Sequence, residues 1–240
     1  MPILTKQQLS DGYYSVPDSF MQIAGQVGCA HTIERVSDYK GQDKLWLFCT
    51  QTNLTQREQK RVVNEWIEFL QTNTKAIKFL YIRSRVSQAL FDAACCQEKL
   101  EELHFKWGGY KDLTALKKLS NSKQLKHLYI GTGASVEDIS PLAEMKNLAS
   151  LYVENFKKIE DYSPLVALQN LEELDISGPN FGYAPIQDLE FLRDMPNLRA
   201  FSTIATTIKR KYTREEKDKL RAELSHLNFR GGLINRWLDC

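Results

Sequence analysis

The chain has 240 residues, of which 42% are hydrophobic and 26% charged, and its formal net charge is +2. This near-neutral balance gives no field that would draw the whole molecule to nucleic acid or to an anionic membrane, and no apolar run approaches the ~20 residues that span a bilayer. The N-terminus lacks a charged region followed by an apolar stretch, so the sequence predicts a cytoplasmic protein without a secretory signal peptide.

The cysteines agree with a reducing compartment. Their number is odd and none belongs to a Cys-x-x-Cys pair, so we expect free thiols rather than a disulfide framework. Cys95 and Cys96 follow two alanines in a predicted helix, where buried thiols pack as small apolar groups. The five are Cys29, Cys49, Cys95, Cys96 and Cys240.

Residues 1–76 are predicted to form an N-terminal cap. The segment KLWLFC at 44–49 alternates like a strand and begins a first, irregular repeat. Thr55 and Glu58 form a capping box, and the helix that follows carries one apolar face. Residues 1–43 are expected to contribute a helix or hairpin that covers the open edge of the stack, because a terminal strand leaves backbone groups unpaired.

A hexamer of the form L-x-x-L-x-apolar recurs through residues 77–205. Its starts are 23, 25, 23, 23 and 27 residues apart. A period in this range predicts one strand per unit, stacked in parallel, with positions one, four and six in the core. The copies begin at Ile77, Leu100, Leu125, Leu148, Leu171 and, as a weaker match, Leu198.

The segments between the hexamers carry a second signature, Asp-x-x-x-Leu. Ser140 and Ser163 in these segments are predicted to cap short helices, and Pro141 and Pro164 follow at the first helical position. Three of the segments lead into an Asn-Leu pair at Asn147, Asn170 and Asn197. The four copies of the signature begin at Asp112, Asp138, Asp161 and Asp188.

These two half-repeats resemble leucine-rich repeat proteins, in particular the bacterial internalin-like subclass with repeats of about 22 residues. The resemblance implies an α/β solenoid with one curved parallel β-sheet on the concave side and short or full helices on the convex side, capped at both ends. One domain over 1–240 would then comprise the 1–76 cap, the 77–205 repeats and a 206–240 C-terminal helical cap. Where the family usually places an asparagine, this chain has Gly133, Phe156 and Pro179, so we expect irregular turns.

The C-terminal cap is predicted from a second capping box, Thr213 to Glu216. An apolar stripe follows at Leu220, Leu224 and Leu227, and Trp237 and Leu238 are expected to pack on the last repeat. The basic run at 209–214 is interpreted as a solvated surface, since acidic residues follow it at once.

Positions three, five and seven of each hexamer are predicted to face solvent on the concave side, where they form an aromatic belt with a shift from basic to acidic charge. Exposed aromatic residues are typical of protein-binding hot spots. Alternatively, the aromatic residues stabilise the sheet through cross-strand pairs, or the N-terminal segment covers some of them. The predicted partner-binding residues are Phe79, Tyr81, Arg83, Glu102, His104, Lys106, Trp107, His127, Tyr129, Tyr152, Glu154, Glu173 and Asp175.

The sequence therefore favours a non-enzymatic protein-binding module, expected to be a monomer without cofactor, nucleic-acid or membrane partner. Motifs of nucleophilic, phosphate-binding and zinc hydrolase sites are absent from it. Three alternatives stay open: an inhibitor or immunity-type protein that neutralises a toxin or effector, a structural assembly subunit, and a hydrolase with a metal held by Glu102, His104 and His127.

Overall fold

A computed structural model of the chain describes residues 2–16, 22 and 32–230. Within them, nine strands form one parallel sheet in the order β1-β2-β3-β4-β5-β6-β7-β9-β11, and β8 and β10 pair separately. The strands are β1 (Thr32–Ile33), β2 (Lys44–Leu47), β3 (Phe79–Ser87), β4 (Glu102–Gly109), β5 (His127–Ile130), β6 (Ser150–Glu154), β7 (Glu173–Ser177), β8 (Ala184–Ile186), β9 (Ala200–Ile204), β10 (Thr206–Ile208) and β11 (Asn228–Arg230).

The leucine period produces this sheet. Each hexamer leucine lies opposite the equivalent residue of the next strand, as Leu103 does with Leu128 and Leu151 with Leu174. All four side chains are fully buried. Because strand side chains alternate between faces, positions one, four and six share one continuous core, and the predicted solenoid is confirmed.

The return segments are helical on the convex side, and their type changes along the chain. Full α-helices, α2 (Gln56–Thr72) and α3 (Gln88–Ala94), follow the first strands. The later repeats return through 3-10 helices over Thr114–Leu119, Ser140–Glu144, Ser163–Ala167 and Glu190–Asp194. Two further 3-10 turns are short, at Tyr13–Ser15 and Val36–Asp38.

Aspartate, not serine, caps the 3-10 helices. Asp138 Oδ1 accepts the backbone N–H of Ser140 at 2.8 Å, and Asp161 Oδ1 accepts that of Ser163 at 2.8 Å. In the same way, Asp112 accepts the backbone N–H of Thr114, and Asp188 accepts that of Glu190. The predicted capping by Ser140 and Ser163 is wrong, because a short aspartate side chain reaches the first free N–H in this tight turn.

The asparagines before each strand tie neighbouring repeats together. The Asn147 amide donates to the Ser122 carbonyl at 3.0 Å, Asn170 to Lys146 at 2.8 Å, and Asn197 to Gln169 at 2.7 Å. Each bond joins one return segment to the previous one, so these amides satisfy backbone groups that the 3-10 geometry leaves unpaired.

In the turns that follow β5 and β6, a glycine and an aromatic residue, Gly133 and Phe156, stand where the family has asparagine. Phe156 is buried in the core and its ring lies so close to Gly133 that a Cβ there would be 2.4 Å from it. Thr132 and Asn155 adopt positive φ in the same turns. Positive φ therefore recurs at the same repeat position in both turns, and the contact of Phe156 with Gly133 fills the space between them.

Both ends of the sheet carry the predicted helices. β1 pairs with β2 at the N-terminal edge, and the capping box of Thr55 and Glu58 opens α2. At the other end, the capping box of Thr213 and Glu216 opens α4 (Arg214–Glu223). Leu220 is buried within this helix, and Leu224 and Leu227 of the predicted stripe are buried after its last residue.

Two features of the ends differ from expectation. Residues 2–16, which include α1 (Lys6–Asp11), cross the concave face instead of covering the sheet edge. A further strand, β11, extends the sheet next to β9. Residues 224–229, LSHLNF, also fit the hexamer pattern, and β11 begins inside them at Asn228. Phe229 rather than Leu227 lies opposite Phe201, so the strand pairs two residues out of phase with the hexamer.

Cys49, Cys95 and Cys96 are free thiols, and burial raises the pKa of Cys49 to about 11. Cys29, Cys240, Trp237 and Leu238 lie outside the described residues. In the part of the chain that the structure describes, no helix combines the length and apolar character needed to cross a bilayer.

Candidate binding face

Residues 2–16, here called the N-terminal strap, lie along the concave face. Leu4 and Leu9 are buried against Ala200 of β9. The Leu9 carbonyl accepts the Asn228 amide at 3.0 Å. The backbone N–H groups of Ile3 and Leu4 both donate to the Glu172 carboxylate. The first half of the strap is thus bound to the C-terminal repeats by apolar contacts and by its own backbone.

Tyr13 connects the strap to the middle of the sheet. Its ring stacks on His127 of β5 with centroids 3.5 Å apart and planes 7° from parallel. Its hydroxyl donates to Glu102 Oε2 at 3.0 Å, and its backbone N–H donates to Glu173 Oε1 at 3.0 Å. One residue therefore contacts three strands, β4, β5 and β7.

Tyr14 lies over the aromatic belt. Its ring meets those of His104 and Tyr129 edge-on at centroid distances of 5.4 Å, and that of Tyr152 at 5.0 Å. Only 2% of the side chain is exposed. Edge-to-face contacts of this kind add to the gain from burying the ring.

The belt itself is a ladder of rings at hexamer position five. Successive centroids are separated by 4.2 Å from Trp46 to Tyr81, 3.9 Å to His104, 3.8 Å to Tyr129 and 5.6 Å to Tyr152. Sequence analysis missed Trp46, although KLWLFC already placed it on this face by alternation. The aromatic residues therefore pair across strands, and the N-terminal segment covers part of them, as the two alternative interpretations of the sequence stated.

The acidic end of the face is internally paired. Glu173 is fully buried, and one of its carboxylate oxygens lies 2.6 Å from Arg230 Nη2. The hydroxyls of Ser150 and Tyr152 donate to the same carboxylate at 2.6 Å and 3.0 Å. Arg230 comes from the unpredicted strand β11. Burial lowers the pKa of its guanidinium, but the attraction of Glu173 and the groups around it outweighs burial and leaves that pKa above the ordinary value.

Burial shifts the protonation of the other ionisable groups on this face. Desolvation raises the pKa of Glu102 to about 7 and that of Asp175 to about 6. It lowers the pKa of His127 to about 3 and holds that of His104 well below its ordinary value. The two histidines are therefore neutral at neutral pH and act as aromatic rings rather than as cations.

The predicted site residues divide by exposure. The expectation that all of them face solvent is wrong for five that are buried: Tyr81, Glu102, His104, Glu173 and Asp175. The reason for the central ones is the strap, which contacts Glu102, His104 and Glu173 directly. Arg83 is exposed, and the remaining seven are half-buried: Phe79, Lys106, Trp107, His127, Tyr129, Tyr152 and Glu154.

The three residues predicted as possible metal ligands make other contacts: the two histidines stack on tyrosine rings, and Glu102 accepts a hydrogen bond. His104 is sandwiched between Tyr81 and Tyr129, His127 stacks on Tyr13, and Glu102 accepts the Tyr13 hydroxyl. Among the residues that the structure describes, no group of three or more His, Cys, Asp or Glu side chains is arranged to hold a metal ion.

A rim of exposed side chains remains where the strands end, at hexamer position seven. Arg83 lies over Trp46 at 5.5 Å, and the Lys106 ammonium lies 5.8 Å from the Tyr129 ring. At the other end of the row Ile204 is 57% exposed. The adjoining loop 178–183 adds Phe181 and Tyr183, which are 91% and 66% exposed.

The repeat spacing, the nine parallel strands and the 3-10 returns together decide the architecture. The fold is an α/β solenoid of leucine-rich repeats. The basic run at its C-terminal end is solvated as expected, since Arg210 pairs with Glu190 and Glu216 on the surface.

Solved structures include similar internalin-like folds. An internalin of Listeria monocytogenes matches with 21% identity and a TM-score of 0.46, over 65% of this chain and 48% of that one. Internalin C2 of the same species matches with 20% identity and a TM-score of 0.44, over 68% and 72%. A leucine-rich repeat protein of Leptospira interrogans matches with 16% identity and a TM-score of 0.47, over 69% and 45%.

This chain spans about half the length of the first and third of these proteins. No protein-family model matches the sequence. No curated protein matches it either.

Proposed function

We propose that this internalin-like leucine-rich repeat protein is a non-enzymatic, cytoplasmic protein-binding module that acts as a monomer. Its partner contacts the rim of the concave side. The observation that carries the proposal is the exposure of three large apolar side chains at one end of the rim, Ile204, Phe181 and Tyr183. Backbone hydrogen bonds from Gly178 to Ile204 and from Ala184 to Ala205 hold their two segments side by side. Large apolar groups exposed on neighbouring segments are costly in water unless a partner covers them.

The other end of the rim supplies charge. Arg83 and Arg85 are exposed and Lys106 is half-buried beside Trp107. Cations held over aromatic rings keep a fixed position, so they can orient an incoming surface and speed encounter. This polarity favours a partner with an acidic patch and an apolar patch separated by the strands between β3 and β9.

Compared with the prediction from sequence, the proposed surface is narrower. It keeps Arg83, Lys106, Trp107 and Glu154 of the predicted residues. It omits the five buried ones, of which Glu102, His104 and Glu173 lie directly under the strap. It also omits four half-buried residues: Phe79, His127, Tyr129 and Tyr152. It adds Phe181 and Tyr183, which lie outside the hexamers.

Affinity capture from the native cell, followed by mass spectrometry, tests the proposal. Two double variants probe the two ends of the rim, Arg83→Glu with Lys106→Glu and Phe181→Ser with Tyr183→Ser. Each should reduce capture of the wild-type partner by at least about tenfold, as hot-spot changes do.

The matched control carries the same charge reversals elsewhere. Lys123 and Lys157 are exposed and lie outside the strands, so Lys123→Glu with Lys157→Glu should retain the partner. Equal recovery by the control and by both rim variants would remove the rim from the interface.

A further inference from the structure

The strap fits its groove incompletely. A cavity of about 370 Å³ lies between the strap and the sheet, lined by Ser10, Tyr14, Tyr152, Asp175, Ser202 and Arg230 among others. Arg230 Nε and Nη1 and both ring nitrogens of His104 are buried without a hydrogen-bond partner among the described residues. Buried donors without acceptors cost free energy, so a different occupant could bind this groove better than the strap does.

The strap is also recognised in a way that other segments could copy. Glu172 and Glu173 bind it through the backbone N–H groups of Ile3, Leu4 and Tyr13. Any segment that adopts the same backbone path, with a helical turn like α1 between the two donor positions and no proline at them, offers the same donors. Side-chain selectivity comes from the rings that enclose Tyr13 and Tyr14.

Gly12 allows the close approach on which this fit depends. Its φ is +95°, and a Cβ at this position would lie 2.6 Å from the Tyr152 hydroxyl and 2.7 Å from Arg230 Nη1. The sequence Gly-Tyr-Tyr at 12–14 is therefore required as a unit, since glycine brings the backbone onto the floor and the two rings follow.

We propose that the N-terminal strap is a displaceable occupant of a peptide-binding groove, and that the partner inserts a glycine-aromatic-aromatic segment of the same backbone form in its place. This inference deepens the proposed function and rests on it. The inserted segment is neutral or basic, because the floor carries Glu102, Glu172, Glu173 and Asp175 against two arginines, Arg199 and Arg230. A carbonyl oxygen of that segment would satisfy the unpaired Arg230 donors.

A labelled synthetic peptide of residues 2–16 provides the probe, and fluorescence anisotropy measures its binding to the full-length chain. In the wild-type protein the strap competes in cis at high effective concentration. Gly12→Ala disfavours the bound strap through the backbone strain and the clash described above, so it should bind the peptide at least about tenfold more tightly than wild type.

Gly41→Ala is the matched control. Gly41 also has positive φ, +90°, but nothing lies within 4 Å of a Cβ built there. It should bind the peptide as weakly as wild type. A peptide with Tyr14→Ala should lose most of its affinity for the Gly12→Ala protein.

Limited proteolysis within residues 2–16 reports whether the strap leaves the groove. A strap that is cleaved faster in Gly12→Ala, together with peptide binding, supports the proposal. A cleavable strap without peptide binding overturns it, and so does a strap as protected as in wild type.

If Gly12→Ala does not fold, the proposal is tested on the wild-type protein by measuring hydrogen exchange with and without the peptide. Saturating peptide should reduce the protection of residues 6–16, because the added peptide displaces the strap. Unchanged protection at saturation overturns the proposal.

The two proposals fail differently. Loss of the partner by the rim variants, with no peptide binding by Gly12→Ala, would leave the rim as the interface and remove the groove. Peptide binding by Gly12→Ala, with full partner capture by the rim variants, would remove the rim and retain the groove.

Discussion

At the scale of single residues, the concave face is governed by desolvation. Glu102 lies beneath Tyr13 and is 1% exposed, and its carboxyl accepts one hydrogen bond from the Tyr13 hydroxyl. The sequence predicted that this side chain points to the concave side, which is correct. It did not predict burial, because alternation gives the direction of a side chain and not what covers it.

The buried Glu102 carboxyl makes stability depend on pH. Its pKa rises from the ordinary 4.5 to about 7 in the folded state, so between these values the folded protein binds more protons than the unfolded one. The free energy of unfolding therefore falls as pH rises through this window. Relative to Glu102→Gln, wild type should lose on the order of 1–3 kcal/mol between about pH 5 and about pH 8.

Urea titrations of both proteins at the two pH values measure this difference. Contributions from Asp175, His104 and His127 are shared by the two proteins and cancel in the subtraction. Parallel stability profiles for wild type and Glu102→Gln would mean that this carboxyl is solvated in the folded state.

At the scale of the repeat, the sequence predicted where each return segment lies but not which residue caps its helix. The Asp-x-x-x-Leu signature marks each 3-10 helix correctly. Pro141 and Pro164 lie in its first turn but at the second position rather than the predicted first, because Ser140 and Ser163 begin the helices. The capping residue is aspartate and not the predicted serine, because the return segment is a 3-10 helix and not an α-helix. There the aspartate two residues earlier reaches the N–H first.

Asp138→Ala should therefore destabilise the protein by about 1 kcal/mol, since it removes the acceptor of the Ser140 N–H. Ser140→Ala should cost less, because only its hydroxyl bond to Asp138 Oδ2 is lost. Thermal or urea unfolding ranks the two variants. A larger loss for Ser140→Ala would restore serine as the cap.

At the scale of the whole molecule, the strap changes how the array is held together. Repeats in a solenoid contact mainly their neighbours, but the strap joins β4, β5, β7, β9 and β11 in one segment. Its contacts link residues as far apart as Tyr13 and Glu173, which are 160 positions apart in the chain. The C-terminal repeats therefore depend on the N-terminus for part of their stability.

Hydrogen exchange should expose this dependence. Gly12→Ala is expected to speed exchange in β7, β9 and β11 more than in β2 and β3, because the first half of the strap packs on the C-terminal strands. Gly41→Ala should leave both ends as in wild type. A uniform increase along the sheet would mean that the array unfolds as one unit.

The amino-acid sequence alone determined the repeat: a leucine every 23–27 residues can be buried only if the strands stack in parallel and in register, and alternation then assigns each side chain to a face. Only the tertiary structure decided which outward residues meet water. Gly12, Tyr13 and Tyr14 contact partners far away in the chain, and the short-range periodicity that encodes a solenoid carries no information about such contacts.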